Sequence, residues 1–294
     1  MRILVATDGS QHAEVALRLV TETEWPVNTA FRVVTVVDDP VAGFNVAPDE
    51  LIQTEIARAL EGPVASAIGA IGRQTVLVEG AVLRGRTGAA ILADATAWAA
   101  DLIVVGHRGR GPARALLLGS VAAEIVERAT VPVLVARAGM LGPVVLGDDG
   151  SSPARAARRL LARWPALRRQ LVRVVSVAHV AAPLGSGIAP TMRRAAAVAY
   201  ADEVSSTLAA HAAIAEEAAG ELRSLGVAAT ATASTGDPAT AIVAAAEGTH
   251  AGLIVVGSRG TGGVAALLGS VARAVVLRAP CSVLVVHATK EAST

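Results

Sequence analysis

The residues best suited to chemistry in this sequence are spaced glycines followed by a serine. Two residues separate Gly106 from Gly109, nine more separate Gly109 from Gly119, and Ser120 follows directly. Glycine lets a backbone turn tightly and approach a ligand closely. A Gly-Ser pair that opens a helix offers free N–H groups and the positive end of the helix dipole, and both suit a phosphate. The spacing therefore predicts a phosphate-binding loop.

A second loop of the same kind occurs later in the chain. Gly257 and Gly260 repeat the spacing of the first pair, but only eight residues separate Gly260 from Gly269. The loops also differ in their basic residues, which are Arg108, Arg110 and Arg114 in the first and Arg259 in the second. We expect the second loop to bind an anion more weakly. The alternative interpretation of each loop is a simple strand-to-helix turn, and the occurrence of two such loops favours phosphate binding.

The two loops belong to an internal repeat. Thr7-Asp8-Gly9-Ser10 recurs as Asp148-Asp149-Gly150-Ser151, and residues 32–36 recur as 173–177, both 141 residues later. The loops recur after 150 or 151 residues, so the second copy holds ten additional residues between its second and fourth strands. A period of this length indicates duplicated domains and not a solenoid. We predict one domain over residues 1–138 and a second over 139–294.

Apolar runs and helical spacing predict the elements that position these motifs. Strands are expected in the first copy over residues 2–7, 32–37, 75–78, 102–105 and 131–136. Helices are expected after the N-cap Ser10 and over residues 51–68, 87–99 and 120–129, and a longer helix over about 193–223 in the second copy. Alternation of strands and helices favours an α/β fold of two tandem, doubly wound (Rossmann-like), five-stranded parallel sheet domains.

Composition and charge argue against several classes of protein. The net charge of +1 is too small for a protein that binds nucleic acid through a basic face. Cys281 is the single cysteine, so an intrachain disulfide is excluded. No apolar run reaches the length of a membrane span, and the first residues lack the pattern of a signal peptide. The six histidines show no ligand spacing, so we predict no structural metal. We expect a cytoplasmic protein.

With these motifs the sequence resembles the universal stress protein family, in its tandem-domain form. The nucleotide-binding subgroup of that family carries Gly-x2-Gly-x9-Gly-Ser/Thr after the fourth strand and an Asp after the first. Asp8 and Asp149 stand at that Asp position. Residues 236–239 resemble the segment that follows the third strand, and residues 85–88 match it more loosely. The resemblance covers essentially the whole chain.

The resemblance implies that each copy binds ATP. In the subgroup the Asp contacts adenine, a backbone group of the second strand lies near it, and the glycine loop holds ribose and phosphates. Site one then consists of Asp8, Val36, Gly106, Gly109, Gly119, Ser120 and Val121. Site two consists of Asp149, Val177, Gly257, Gly260, Gly269, Ser270 and Val271. The alternative role of each Asp is that of a helix cap or turn residue. Mg²⁺ can accompany ATP through its phosphates, because it keeps waters and needs few protein ligands.

The sequence contains no convincing catalytic set. It lacks a Gly-x4-Gly-Lys-Ser/Thr loop, and its only lysine is Lys290. We therefore expect a nucleotide-dependent regulatory protein with at most slow ATP hydrolysis. The main alternative is a slow ATPase or nucleotidyl transferase that uses the same site, and a third is an interaction module without nucleotide. His107 is expected to be an exposed loop residue, and Cys281 to belong to the core.

The last strand of each copy bears on assembly. Residues 131–136 and 282–286 form apolar sheet edges, and such edges seek a partner. The family resemblance implies that the two copies pair through these strands within one chain. A homodimer and an unidentified protein partner are further expectations, whereas nucleic acid and membrane are not expected partners.

Overall fold

The structure is a computed structural model that describes residues 1–37, 54, 58, 60–72, 77–109, 118–180, 190–260 and 268–287. Within those ranges each copy contains five strands that alternate with helices. No helix in the described part of the chain combines the length and apolar character needed to cross a membrane.

The elements of the first copy follow the predicted order. Its strands are β1 (Arg2–Ala6), β2 (Ala30–Val37), β3 (Val78–Arg84), β4 (Leu102–Gly106) and β5 (Val133–Ala136). Its helices are α1 (Gln11–Glu22), α2 (Ala65–Ile71), α3 (Thr87–Ala97) and α4 (Ser120–Arg128). A π-helical turn over Leu60–Val64 leads into α2. The predicted helix over 51–68 is thus confirmed where it is described, apart from that turn, and its first half lies largely outside the described residues.

The second copy repeats this order. Its strands are β6 (Val144–Gly147), β7 (Val172–Ala178), β8 (Ala229–Thr235), β9 (Leu253–Gly257) and β10 (Ser282–Val286). Its helices are α5 (Ser152–Arg163), α6 (Pro165–Arg168), α7 (Pro190–Ser224), α8 (Pro238–Gly248) and α9 (Ser270–Arg278). Fifty residues separate β7 from β8, against forty between β2 and β3, so the ten additional residues lie in the segment that contains α7.

All ten strands form one sheet. The order is β3-β2-β1-β4-β5-β10-β9-β6-β7-β8, and neighbouring strands within each copy are parallel. The copies meet where β5 and β10 pair antiparallel, with Leu134 opposite Leu284. This junction between β5 and β10 is called the seam below. The predicted fold class of two doubly wound, five-stranded parallel halves is confirmed.

The strands are apolar because the sheet is covered on both faces. In β1, Ile3 and Val5 join one hydrophobic core while Leu4 joins the core on the opposite face, and all three are at most 1% exposed. Both cores continue across the seam, since each contains residues from β5 and from β10. This is the pattern expected of parallel strands between two helical layers.

The third strand of the first copy lies later than predicted. The prediction placed it over residues 75–78, whereas β3 spans Val78–Arg84 and residues 75 and 76 lie outside the described chain. β3 is an edge strand, and several of its residues, Glu79 among them, are exposed. An edge strand needs no continuous apolar run, so the apolar run before it misled the prediction.

Candidate functional site

A cleft of about 460 Å³ opens at the carboxyl ends of β1, β2 and β4. The strand order reverses between β1 and β4, and such switch points are where open α/β sheets bind ligands. The cleft is lined by residues that follow β1 and β4, by β2, and by the first turns of α3 and α4. All seven residues predicted for site one line it: Asp8, Val36, Gly106, Gly109, Gly119, Ser120 and Val121.

The glycines of the first loop stand where a side chain has no room. A Cβ on Gly106 would lie 2.6 Å from the main-chain oxygen of His12, and one on Gly109 would lie 2.7 Å from Asp8 Oδ2. Both distances are below any ordinary carbon contact. The loop backbone therefore packs directly on the start of α1 and on the carboxylate of Asp8.

The two ends of the first loop are held together by the backbone. The N–H of Gly119 donates to the oxygen of His107 at 2.8 Å, and Gly119 is the N-cap of α4. Because Gly119 has no side chain, the N-cap residue itself makes no side-chain hydrogen bond to the first N–H groups of α4. The first turn of α4 faces the cleft through Ser120, Val121 and Ala122.

Asp8 lies in a tight turn between β1 and α1. Gly9 has a φ of +71°, which favours glycine, and the N–H of Ser10 donates to Asp8 Oδ1 at 3.0 Å. Ser10 then caps α1 by accepting from the N–H of Ala13, as predicted. One carboxylate oxygen of Asp8 thus shapes the turn, while the other is directed toward Gly109.

The second copy builds a cleft of about 360 Å³ in the same way. A Cβ on Gly257 would lie 2.9 Å from Pro153 Cβ, and one on Gly260 would lie 2.5 Å from Asp149 Oδ2. The N–H of Gly269 donates to Ser258 O at 2.8 Å, so both loops close through the same bond despite their different lengths. All seven predicted residues line this cleft: Asp149, Val177, Gly257, Gly260, Gly269, Ser270 and Val271.

Three of the positions that line both clefts carry different residues, and Ala13 and Thr35 line the first cleft only. Ala6, Thr7 and Thr87 of the first are replaced by Gly147, Asp148 and Pro238 in the second. A Cβ on Gly147 would lie 2.6 Å from Ile242 Cδ1, so that side chain occupies the space that Ala6 fills in the first copy. Of the loop arginines, Arg108 and Arg259 line their clefts, while Arg110 and Arg114 lie outside the described residues.

A histidine pair lies behind the first loop. The rings of His12 and His107 meet edge to face at 4.5 Å, and His107 Nδ1 lies 3.3 Å from the oxygen of Ala136. Burial lowers the pKa of His107 to about 4, and the nearby positive charge of Arg137 contributes in the same direction. His107 is half-buried, and its low pKa keeps it neutral at pH 7. It is not the exposed loop residue that was expected.

A buried ion pair that was not predicted from the sequence lies beside the second cleft. Arg158 of α5 is 1% exposed and binds Asp148 through two hydrogen bonds. The opposing effects of burial and of its carboxylate partners leave the pKa of Arg158 above its usual value. The repeat gave the only signal, because Arg158 takes the place of Leu17, a residue that packs against the core.

Comparison with known proteins agrees with this architecture. The family model described as "Universal stress protein family" matches residues 1–137 and again 140–287. A universal stress protein of Thermus aquaticus is 36% identical over 138 residues, which cover 46% of this chain and 97% of that protein. A stress response protein of Bacillus subtilis is 27% identical over 161 residues, with the same coverage.

Solved structures show the same fold over nearly all of the chain. A universal stress protein from Archaeoglobus fulgidus superposes with a TM-score of 0.68 at 20% identity, covering 98% of both chains. A protein from Pseudomonas aeruginosa gives a TM-score of 0.56 at 15% identity, covering 97% of this chain and 92% of that one. With two successive matches to the family model, and a sheet that repeats about the seam, the chain belongs to the universal stress protein family as a tandem of two copies.

Proposed function

We propose that this protein binds ATP in the first cleft, binds it more weakly in the second, and acts in the stress response as a nucleotide-dependent regulatory protein. The observation that carries the proposal is the close approach of the glycine loop to Asp8 at the switch point between β1 and β4. A volume of about 460 Å³ lies within the range of small-molecule sites.

Each part of the cleft suits a different part of the nucleotide. The N–H groups in the first turn of α4 and the Ser120 hydroxyl supply donors for phosphate oxygens. Val34, Val36 and Ile91 supply an apolar wall against which a base can lie. Asp8 Oδ2 can accept from the exocyclic amino group of a base, and the choice of adenine rests on the family resemblance. Mg²⁺ would then be held chiefly by phosphate oxygens and water.

The charged groups of the first cleft favour binding over rapid chemistry. Among the described residues that line it, the ionisable side chains are Asp8 and Arg108. Asp8 accepts the N–H of Ser10 and so already has a structural role. Arg108 can neutralise phosphate charge. We therefore expect at most slow hydrolysis, and an enzyme of ordinary kinase speed is the outcome that would contradict this expectation.

The second cleft is the weaker site in this proposal. It is about 100 Å³ smaller, since about 360 Å³ compares with about 460 Å³ in the first. Pro238 also replaces Thr87 and removes both a hydroxyl and an N–H at the start of its helix. The smaller volume reduces the space for a triphosphate, and Pro238 reduces the number of hydrogen-bond donors.

Two measurements test nucleotide binding. The protein purified without added nucleotide is denatured, and released small molecules are identified by mass spectrometry; adenine nucleotide is expected. Calorimetric titration with ATP is expected to show a stronger and a weaker site, with guanine nucleotides binding less tightly. Absence of released nucleotide together with absence of a titration signal would instead indicate an interaction module without nucleotide.

A single-turnover assay with labelled ATP separates a regulatory protein from an enzyme. We expect conversion far slower than the ~1–100 per second typical of kinases. Transfer of a labelled phosphoryl or nucleotidyl group to an acceptor at such rates would establish the enzymatic alternative.

Assembly and location complete the proposal. We propose a cytoplasmic protein that forms a homodimer and signals through a protein partner. Light scattering that detected only a 29.5 kDa species would reject the homodimer.

A further inference from the structure

The buried Arg158 makes two short bonds to Asp148. Its Nε donates to Asp148 Oδ2 at 2.7 Å and its Nη2 donates to Oδ1 at 2.9 Å. The side chain of Asp148 is fully buried directly after β6. A buried charge pair is retained only when its geometry compensates for desolvation, and two parallel bonds from a guanidinium are the strongest such arrangement.

Asp148 also stabilises the backbone turn in which Asp149 lies. Its Oδ1 accepts the N–H of Gly150 at 2.8 Å, and Gly150 has a φ of +76°. Within the same turn, Asp149 Oδ1 accepts the N–H of Ser151 at 3.0 Å. The direction in which Asp149 faces the loop at Gly260 therefore depends on where Asp148 is fixed.

Arg158 also connects this turn to α7. Its Nη1 donates to Glu221 Oε2 at 2.9 Å and lies 3.3 Å from Glu217 Oε1. Ile214, on the same helix, packs beside Gly150, where a Cβ would lie 3.7 Å from Ile214 Cδ1. The helical segment that is longer in the second copy is thus bonded to the ligand-facing turn through one arginine.

The first copy holds its equivalent turn differently. The N–H of Gly9 donates to the hydroxyl of Thr7 at 3.2 Å, and Leu17 stands at the position of Arg158. Ser66 and Ala70 stand at the positions of the two glutamates. The bond from Ser10 to Asp8 has an equivalent in the second copy. The difference lies at residues 7 and 148, where Thr7 makes a neutral hydrogen bond and Asp148 belongs to a charged network.

We propose that Arg158 is the positioning residue of site two: by fixing Asp148, it orders the Asp149-Gly150-Ser151 turn before a ligand arrives. A turn that is already ordered loses less conformational entropy when a ligand binds. This order partly compensates for the lower affinity expected of the second loop. The role assigned to Asp149 rests on the proposed nucleotide function. The order of the turn is a property of the ligand-free protein and can be measured without a nucleotide.

The first measurement is amide hydrogen exchange at Gly150 and Ser151 by NMR in the ligand-free protein. Arg158→Lys keeps the charge but loses the paired bonds, so exchange at these two amides should accelerate by about tenfold, the effect of one lost hydrogen bond. The double variant Asp148→Thr/Arg158→Leu installs the residues of the first copy at these two positions. Its Gly150 amide should exchange at a rate close to that of Gly9.

The control is Arg163→Lys, which alters an exposed arginine of the same helix and should leave exchange at both turns unchanged. Core strand amides report any loss of global stability in all variants. If Gly150 and Ser151 accelerate only as much as those core amides, or if Arg158→Lys leaves them unchanged, Arg158 has a merely structural role and the proposal is wrong.

The second measurement is the ATP affinity of site two, with site one blocked by Gly106→Ala in every variant. Arg158→Lys should weaken binding by about tenfold, and the double variant should recover most of that loss. If ATP does not bind the parent protein, the proposed function fails while the exchange data still decide the positioning role. If ATP binds equally to all variants, the positioning role fails and the proposed function stands.

Discussion

Arg137 of the first copy donates through Nη2 to the main-chain oxygen of Val276 in the second copy, 2.5 Å away. Val276 lies in the last turn of α9, where carbonyl oxygens lack helical donors. The residue that would supply its N–H is Pro280, which has none. The guanidinium therefore satisfies an orphaned acceptor and joins the two copies beside the seam.

Replacement of Arg137 by alanine should lower the free energy of unfolding by about 1.5–3 kcal/mol, because a charged donor to a buried carbonyl is lost. Arg273→Ala is the matched control. It breaks an ion pair with Glu127 of the other copy at 2.6 Å. Because Arg273 is 55% exposed, the expected loss of unfolding free energy is at most about 1 kcal/mol. Urea unfolding of both variants gives the comparison, and equal losses would contradict the role assigned to Arg137.

Replacement of Gly106 by alanine should abolish ligand binding in the first cleft only. The added Cβ meets the main-chain oxygen of His12 at 2.6 Å, so the loop must move away from α1, at a cost of about 1–3 kcal/mol. Gly69→Ala is the control, since its Cβ would lie in open space within α2 and should stabilise the protein by about 0.5–1 kcal/mol.

Comparison of Gly106→Ala with Gly257→Ala tests the predicted inequality of the two sites. Calorimetric titration with ATP should lose its stronger phase in the first variant and its weaker phase in the second. Losses of equal size in the two variants would mean that the two clefts bind alike.

The neutral state of His107 should make stability fall in weak acid. Its pKa is about 4 in the folded protein against 6.5 for an ordinary histidine. As the pH falls from 6.5 toward 4, His107 is protonated in the unfolded chain but stays neutral in the folded protein. The free energy of unfolding therefore decreases. His107→Ser, which copies Ser258 of the second loop, removes this contribution.

The measurement is urea unfolding of parent and variant across that pH range. The difference in unfolding free energy should be constant above pH 6.5 and should shift in favour of the variant below it. Carboxylates titrate in both proteins and cancel in the difference. A difference independent of pH would show that His107 ionises normally in the fold.

The thiol of Cys281 should be unreactive in the folded protein. Burial raises its pKa to about 11, and the residue is 5% exposed directly before β10. Only the thiolate is nucleophilic, so alkylation by iodoacetamide at pH 8 should be detected only after unfolding. Mass spectrometry of native and urea-treated samples measures this, and rapid labelling of native protein would contradict it.

Most of the fold could be predicted because the same pattern of strands, glycines and helices occurs in both copies of the repeat. β1 and β4 are short apolar runs next to glycine turns, and each recurs at a fixed offset in the second copy. The β3 prediction failed because edge strands need no apolar run. Its signal is weak: Glu79 and Gly80 interrupt any apolar pattern, and the earlier apolar run attracted the prediction.

The glycine loops of the site could be predicted from the sequence, whereas the side-chain contacts around them could not. Positions where a side chain has no room are marked by glycine in the sequence, so Gly106 and Gly257 could be placed. The partners of a buried charge depend on tertiary packing, and an arginine is normally expected to be exposed. The network of Arg158 with Asp148 therefore became evident only from the folded chain, as did the seam contact of Arg137.

The seam has a consequence for how the protein responds to its own abundance. Two separate chains paired through β5 and β10 would come apart on dilution, because association depends on concentration. Here the segment between Ala136 and Val144 tethers the halves, so each sees the other at a fixed and high effective concentration. The paired state is then independent of expression level, and the two clefts can diverge one substitution at a time within a single gene product.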